Sequence, residues 1–135
     1  MLAVLSTTLH LRTSAREQIL LVTEQVDTAL RELAPDGEGI CTLYTPHTTA
    51  ALTINEDADP DVQTDLLAAF KSLVPRDVTF RHGEGNSDAH FLSSVIGVSL
   101  QVPYRKGKLL LGRWQGIWFV ELDGPRTRDL IIYVP

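Results

Sequence analysis

Apolar and polar positions follow two periods along this chain, and the switches between them mark out the elements. Residues 2–12 read as a strand, with Leu9 and Leu11 on one face and His10 and Arg12 on the other. At Ser14 the period changes. Ser14 and Glu17 have the Ser-x-x-Glu spacing of a capping box, in which each side chain meets a free backbone donor at a helix start. Ile19, Val22, Val26, Ala29, Leu30 and Leu33 then recur mostly every three or four residues, one buried stripe of a helix that Pro35-Asp36-Gly37 ends. Residues 39–45 and 49–54 are rich in Ile, Leu, Thr and Tyr and predict two strands, interrupted at Pro46 and His47. Asp59-Pro60 starts a second helix, with an acidic cap and a proline whose missing N–H costs nothing at the first helical position. Val62, Leu66, Phe70 and Leu73 form its stripe, and Pro75 closes it.

Beyond Pro75 the pattern turns to β. Residues 78–82 predict a short strand, Gly83-Glu84-Gly85-Asn86 a tight loop, and Asp88–Ile96 a short helix that Ser87 caps and Gly97 closes. Strands are expected at 98–103, 108–112, 114–122 and 127–134, with turns at Tyr104-Arg105-Lys106-Gly107 and Asp123-Gly124-Pro125-Arg126. The order β-α-β-β-α-β-α-β-β-β-β predicts an α+β fold. It is read as one domain over 1–135, with mixed, largely antiparallel sheets, two longer helices and one short one.

Composition narrows the function. A chain of 135 residues and 14.9 kDa holds one core of ordinary size. Twelve basic and seventeen acidic side chains give a net charge of −5, which disfavours nucleic acid, since that partner is held chiefly by neutralising phosphates. Residues 1–70 carry three basic and eleven acidic groups, whereas residues 71–135 carry nine basic and six acidic ones. Oppositely charged segments are therefore available to meet, within one chain or across a subunit contact. The lone Cys41 excludes an internal disulfide framework and a multi-cysteine zinc site. No targeting signal and no apolar run of membrane-spanning length is visible, so a cytoplasmic protein without a membrane partner is expected.

Candidate chemistry concentrates in three places. His47 stands at a strand junction, His82 at a strand end and His90 in the first turn of the short helix; three imidazoles suit an open metal site, although their spacing is not a standard metal motif. His10, on the polar face of a strand, reads as an ordinary surface residue. Polar residues crowd 47–61: the hydroxyls of Thr48 and Thr49 suit anion or ligand binding, and Asn55 and Glu56, directly after a strand, are candidates for the reacting centre. Glu56 fits a general base or a metal ligand, whereas Asp59 and Asp61 are explained by the helix start. Finally, Gln115 and Glu121 are polar residues in the otherwise apolar strand Trp114–Glu121 and need partners or a site to face. Cys41 lies mid-strand, and no Gly-x-Ser-x-Gly elbow surrounds Ser93 or Ser94, so nucleophilic catalysis has little support. His82-Gly83-Glu84 lacks the later cysteine pair of a zinc deaminase, and the glycine loop lacks the third glycine of a dinucleotide fingerprint.

Four runs go further: His47-Thr-Thr-Ala-Ala-Leu-Thr-Ile-Asn55-Glu56-Asp-Ala-Asp59-Pro60-Asp61-Val62; His82-x-Glu84-Gly85-Asn86-Ser87-x-Ala89-His90; Leu111-Gly112-x-Trp114-Gln115-Gly116-Ile117; and Glu121-x-Asp-Gly-Pro-Arg126-x-Arg128. Together, in this order and over nearly the whole chain, they resemble the YjbQ family, also described as secondary thiamine-phosphate synthases. The resemblance implies a small α+β domain assembled as a ring-like homotrimer. It implies a site able to hold a divalent metal, zinc first and magnesium with a diphosphate substrate, on His47, His82 and His90. Asn55, Glu56 and Glu121 would then serve catalysis, and Thr48, Thr49, Asn86, Gln115 and Arg126 would contact the substrate. The implied reaction joins hydroxymethylpyrimidine diphosphate to thiazole phosphate and releases diphosphate. The contrasting reading is a trimeric small-ligand binder or regulator without turnover, and a third is an unidentified metal-dependent hydrolase.

Overall fold

In the computed structural model, which describes residues 4–135, the chain runs β1 (Leu5–Arg12), β2 (Gln18–Leu21), α1 (Thr23–Leu33), β3 (Glu38–Tyr44), β4 (Ala50–Glu56), α2 (Pro60–Leu73), α3 (Ser87–Ile96), β5 (Ser99–Arg105), β6 (Lys108–Leu109), β7 (Gln115–Glu121) and β8 (Thr127–Val134). The strands form a five-stranded sheet in the order β1-β8-β3-β5-β6 and a three-stranded sheet in the order β2-β7-β4. Every pairing is antiparallel. The expected α+β fold with three helices is therefore present, and the sheets are antiparallel throughout. The first two residues of the expected 2–12 strand lie outside the described residues.

Alternation along the strands builds the core. Cys41 and Leu43 of β3, Leu130 and Ile132 of β8 and Val102 of β5 point inward and meet Leu52 of β4 and Phe119 of β7. Helix α1 closes this core with Val26 and Leu30, both fully buried, each contributing about 1.5–3 kcal/mol by leaving water. A second cluster forms where α3 lays Ala89 and Leu92 against Ala51, Val120 and Leu122. That contact fixes α3 against the three-stranded sheet and sets the position of His90.

Two expectations fail for tertiary reasons. The stretch expected to begin a helix at Ser14 forms β2, because Ile19 and Leu20 pair with Val120 and Phe119 of β7. The capping box does not form: the Ser14 amide donates to Gln18 Oε1 at 2.9 Å, while Glu17 accepts from Lys71 at 2.9 Å and Arg16 at 2.8 Å. Residues 78–82 form no strand, since no neighbouring edge pairs with them. The second helix starts as expected, with Asp59 Oδ1 accepting the Asp61 amide at 2.9 Å and Pro60 in its first turn. The turn between β5 and β6 places Lys106 and Gly107 at φ +50° and +68°, the left-handed pair of a tight hairpin. Among the described residues no helix is long and apolar enough to cross a membrane.

The uneven charge is partly matched inside the chain. Lys71 reaches Glu17 and Arg105 reaches Glu38, each joining the basic part to the acidic part.

Candidate functional site

The site begins where β3 leaves the five-stranded sheet. Its ladder with β8 ends at Tyr44, opposite Ile131. The next main-chain groups on β8 belong to Asp129, and side chains take them over. The Thr45 hydroxyl donates to the Asp129 carbonyl at 2.8 Å, and His47 Nε2 accepts the Asp129 amide at 2.9 Å. An amide N–H can only donate, so Nε2 carries the lone pair and, in the neutral ring, Nδ1 carries the proton. Burial and the neighbouring Arg128 guanidinium hold the His47 imidazolium below the ordinary histidine range.

His47 and Thr48 form one wall of a cleft of about 470 Å³, beside Tyr44 and Pro46; His90, Ser93 and Ser94 of α3 form the other. His90 also lines a second hollow of about 270 Å³ with His82 and Ser87. The His82 and His90 rings meet edge to face, centroids 5.4 Å apart. Ser93 is turned inward, donating to the Ala50 carbonyl at 2.7 Å and tying α3 to β4.

Behind the cleft lies a buried ion pair. Arg128 and Glu121 are 2% and 0% exposed. Arg128 Nε donates to Glu121 Oε2 at 2.8 Å, and Nη2 donates to Oε1 at 2.5 Å and to Thr49 Oγ1 at 2.8 Å. The Thr13 hydroxyl and the Asp123 amide complete the carboxylate, each at 2.9 Å. Burial alone would raise Glu121, but Arg128, the Asp123 amide and the Thr13 hydroxyl hold it below the usual carboxylate range. Glu121, expected among the catalytic residues, is thus a fully bonded scaffold carboxylate, and Thr49, expected at the substrate, is a buried acceptor for Arg128. Asn86 precedes α3 without capping it: Nδ2 donates to Asp123 Oδ2 at 2.8 Å, and Oδ1 is buried without a partner among the described residues. Arg126, half-exposed, donates through Nε to the Asp123 carbonyl at 2.9 Å.

The remaining candidates lie elsewhere in the chain. On β4 and β7, Ala50 pairs with Glu121 at one end and Glu56 with Gln115 at the other. Six residue steps separate those ends by about 20 Å. Glu56 Oε2 accepts the Asp59 amide at 3.1 Å, Asn55 Oδ1 accepts the Glu56 amide at 2.7 Å, and Gln115 Oε1 accepts the Gly112 amide at 2.8 Å. Asn55, Glu56 and Gln115 therefore form a separate polar end and do not meet His47 within one chain.

The donor set decides how a metal fits. Among the described residues no three His, Cys, Asp or Glu side chains converge as metal ligands. His82 and His90 face one hollow and suit a shared ion. His47 does not suit it in this arrangement, because its one free lone pair already accepts from Asp129.

Ser94 and Tyr44 of the cleft carried no signal in the sequence beyond ordinary strand and helix positions. Arg128 did: on β8 it shares the inward face with Leu130, Ile132 and Val134, and a charge on an apolar face needs a partner.

Comparison with known proteins follows the same outline. The family described as UPF0047 protein YjbQ-like matches residues 7–135. The UPF0047 protein MJ1081 of Methanocaldococcus jannaschii is 44% identical over 125 residues, covering 93% of this chain and 90% of that protein. The UPF0047 protein YugU of Bacillus subtilis is 45% identical over 126 residues, covering 93% and 95%. A crystal structure of an uncharacterized conserved protein of the YjbQ/UPF0047 family from Clostridium acetobutylicum superposes with a TM-score of 0.87 at 41% identity, covering 95% of this chain and 99% of that one. A YbjQ-like protein of unknown function from Sulfolobus solfataricus also gives 0.87, at 29% identity, covering 97% and 96%.

Proposed function

The chain belongs to the YjbQ-like UPF0047 family, and from its histidine cleft we propose that it binds small phosphorylated substrates there and acts as a transferase of the thiamine-phosphate synthase type. The observation that carries this reading is His90, which lines two adjoining hollows at once. Two hollows with one imidazole at their junction suit two small reactants brought edge to edge, and holding both in register is itself a large part of such catalysis. In the reaction, a C–N bond forms between the pyrimidine methylene and the thiazole nitrogen. The C–O bond to diphosphate breaks, and its electron pair leaves with diphosphate. The protein's task is to orient both reactants and to meet the charge on the leaving group.

A divalent cation, zinc or magnesium, would be held by His82 and His90 and would neutralise diphosphate charge. His47, neutral and fixed at its Nε2, acts as a hydrogen-bond donor through Nδ1. The substrate contacts proposed within the chain are Thr48 at the cleft wall and Arg126 beside Asp123.

The polar end at Asn55, Glu56 and Gln115 joins this site only if a neighbouring copy brings it there. A head-to-tail contact of one copy's Glu56 end with the next copy's His47 end closes into a ring, and the ring-like homotrimer is the proposed assembly. Helix α2 supports it: no residue of α2 is fully buried, and Leu73, Val78 and Phe80 around its end are exposed. Sedimentation at three times the 14.9 kDa chain mass is expected; a monomer would contradict the ring.

A ligand binder without turnover is the second reading. It is favoured by one observation: Glu121 is fully bonded and Glu56 is remote, so among the described residues no free carboxylate base lines the cleft within one chain. Incubation with hydroxymethylpyrimidine diphosphate and thiazole phosphate separates the two. Diphosphate release, detected by ³¹P spectroscopy and lost in His90→Ala with the fold intact, supports the transferase. Saturable binding with no release supports the binder.

A further inference from the structure

Helix α3 has a second face. His90 and Ser94, four positions apart, line the histidine cleft, whereas Ala89 and Leu92, three apart, line a different cavity of about 230 Å³. The end of α2 and the residues around the start of β2 complete that cavity. Its floor is apolar: Ala89, Leu92 and Leu122 belong to the second core cluster, and Val74 packs against them. Leu73, Val78 and Phe80, assigned above to a contact between copies, do not line it.

The rim is charged and only partly matched. Glu17 accepts from Arg16 at 2.8 Å and from Lys71 at 2.9 Å, and Asp88 accepts from both Arg16 Nη atoms at 3.1 Å each. Burial alone would raise both carboxyls, but Lys71 and Arg16 hold Glu17, and Arg16 holds Asp88, below the usual carboxylate range. Arg76, the third cation lining the cavity, has no ion-pair partner among the described residues. Three cations stand against two carboxylates, which leaves one positive charge in excess.

We propose that this cavity binds a small monocarboxylate, its charged end at Arg76 and its apolar body on the floor of Ala89, Leu92 and Leu122. The site lies across α3 from the histidine cleft and does not depend on what the cleft binds. Volume sets the size of the ligand: the cavity is smaller than the sites that hold drug-sized molecules, and it suits one ring or a short chain. Charge sets its class. One excess positive charge matches one carboxylate, whereas inorganic phosphate or diphosphate has no apolar body to lay on the floor. Arg16 and Lys71 are already held by Glu17 and Asp88, so Arg76 is the cation that a carboxylate takes without breaking an existing pair. A guanidinium can meet it through two parallel N–H groups.

The test titrates the wild-type protein, in the assembly it forms in solution, with benzoate and with hexanoate. Binding is followed through the methyl signals of Val74, Ala89, Leu92 and Leu122. The expected result is a saturable shift of all four, larger than any shift at His90. Benzyl alcohol, the same ring without the charge, binds about tenfold more weakly, the worth of one charge-assisted contact. Arg76→Gln, a change at an exposed position, keeps the near-ultraviolet circular dichroism of the wild type and weakens benzoate by the same factor. Arg113→Gln, at an exposed cation between β6 and β7, leaves benzoate binding unchanged. Equal affinity for benzyl alcohol and benzoate overturns the proposal, as does undiminished benzoate binding in Arg76→Gln. A saturable shift confined to His47 and His90 also overturns it, placing the carboxylate in the cleft. No saturable shift of the four methyl-bearing residues with either carboxylate overturns it outright.

Discussion

His47 Nε2 accepts the Asp129 amide at 2.9 Å, doing for β8 what a strand carbonyl would do had β3 continued past Tyr44. A side chain in this position is structural as well as chemical. His47→Ala leaves the Asp129 N–H without its acceptor at a half-buried site and is expected to cost about 1–3 kcal/mol. Urea unfolding of the variant against wild type measures it; an unchanged midpoint would show that water replaces the ring without cost.

The same bond sets the sign of a pH effect. Protonated His47 cannot accept from Asp129, and burial and Arg128 already lower its affinity for a proton. The folded value lies below the unfolded one of about 6.5. Stability from this group is therefore complete above about pH 6.5 and is lost as pH falls toward the folded value. The ring carbon shift of His47 should titrate at lower pH than a free imidazole.

Glu121 has the same sign at lower pH. Its folded value lies below the usual carboxylate range, so its contribution is present above about pH 4.3 and lost as pH falls through the folded value. Glu121→Gln leaves Arg128 buried without its counter-charge and is expected to cost about 3–5 kcal/mol. Replacing both with apolar residues, Glu121→Leu with Arg128→Met, should cost less than the single change. A double variant as unstable as the sum of the two single changes would contradict this account of the pair.

Two glycines should respond in opposite ways. Gly107 has φ +68°, and a Cβ there would lie 2.8 Å from Arg31 Cα, backbone that cannot swing aside. Gly83 has nothing within 4 Å of a Cβ. Gly107→Ala should lower stability by more than about 1 kcal/mol, while Gly83→Ala should stay within about 0.5 kcal/mol. Thermal unfolding of both variants decides it.

Local signals announced elements where local chemistry decides them. Asp59-Pro60 starts α2, Lys106-Gly107 turns the hairpin, and the alternation of β8 places Leu130 and Ile132 in the core. Residues 14–22 misled because Ile19 and Val22 fit the start of a helical stripe, whereas Ile19 and Leu20 pair with β7, and only the presence of that strand settles which forms. The site was legible in residue type and less so in role. His47, His82 and His90 do gather around α3, but the Asp129 amide that fixes the His47 tautomer comes from 82 residues away. Glu121 and Glu56 read alike as polar residues at strand positions. One meets Arg128 and the other the start of α2, and sequence spacing carries neither partner.

The central claim, that the cleft between His47 and α3 receives a phosphorylated ligand, is tested most directly by following all four histidine rings while diphosphate is added to the wild-type protein. His47 and His90 should shift together and saturate, with His10, paired to Asp129 on the exposed sheet face, unmoved. A saturable shift confined to His10, or no shift at any ring at saturating diphosphate, would contradict it.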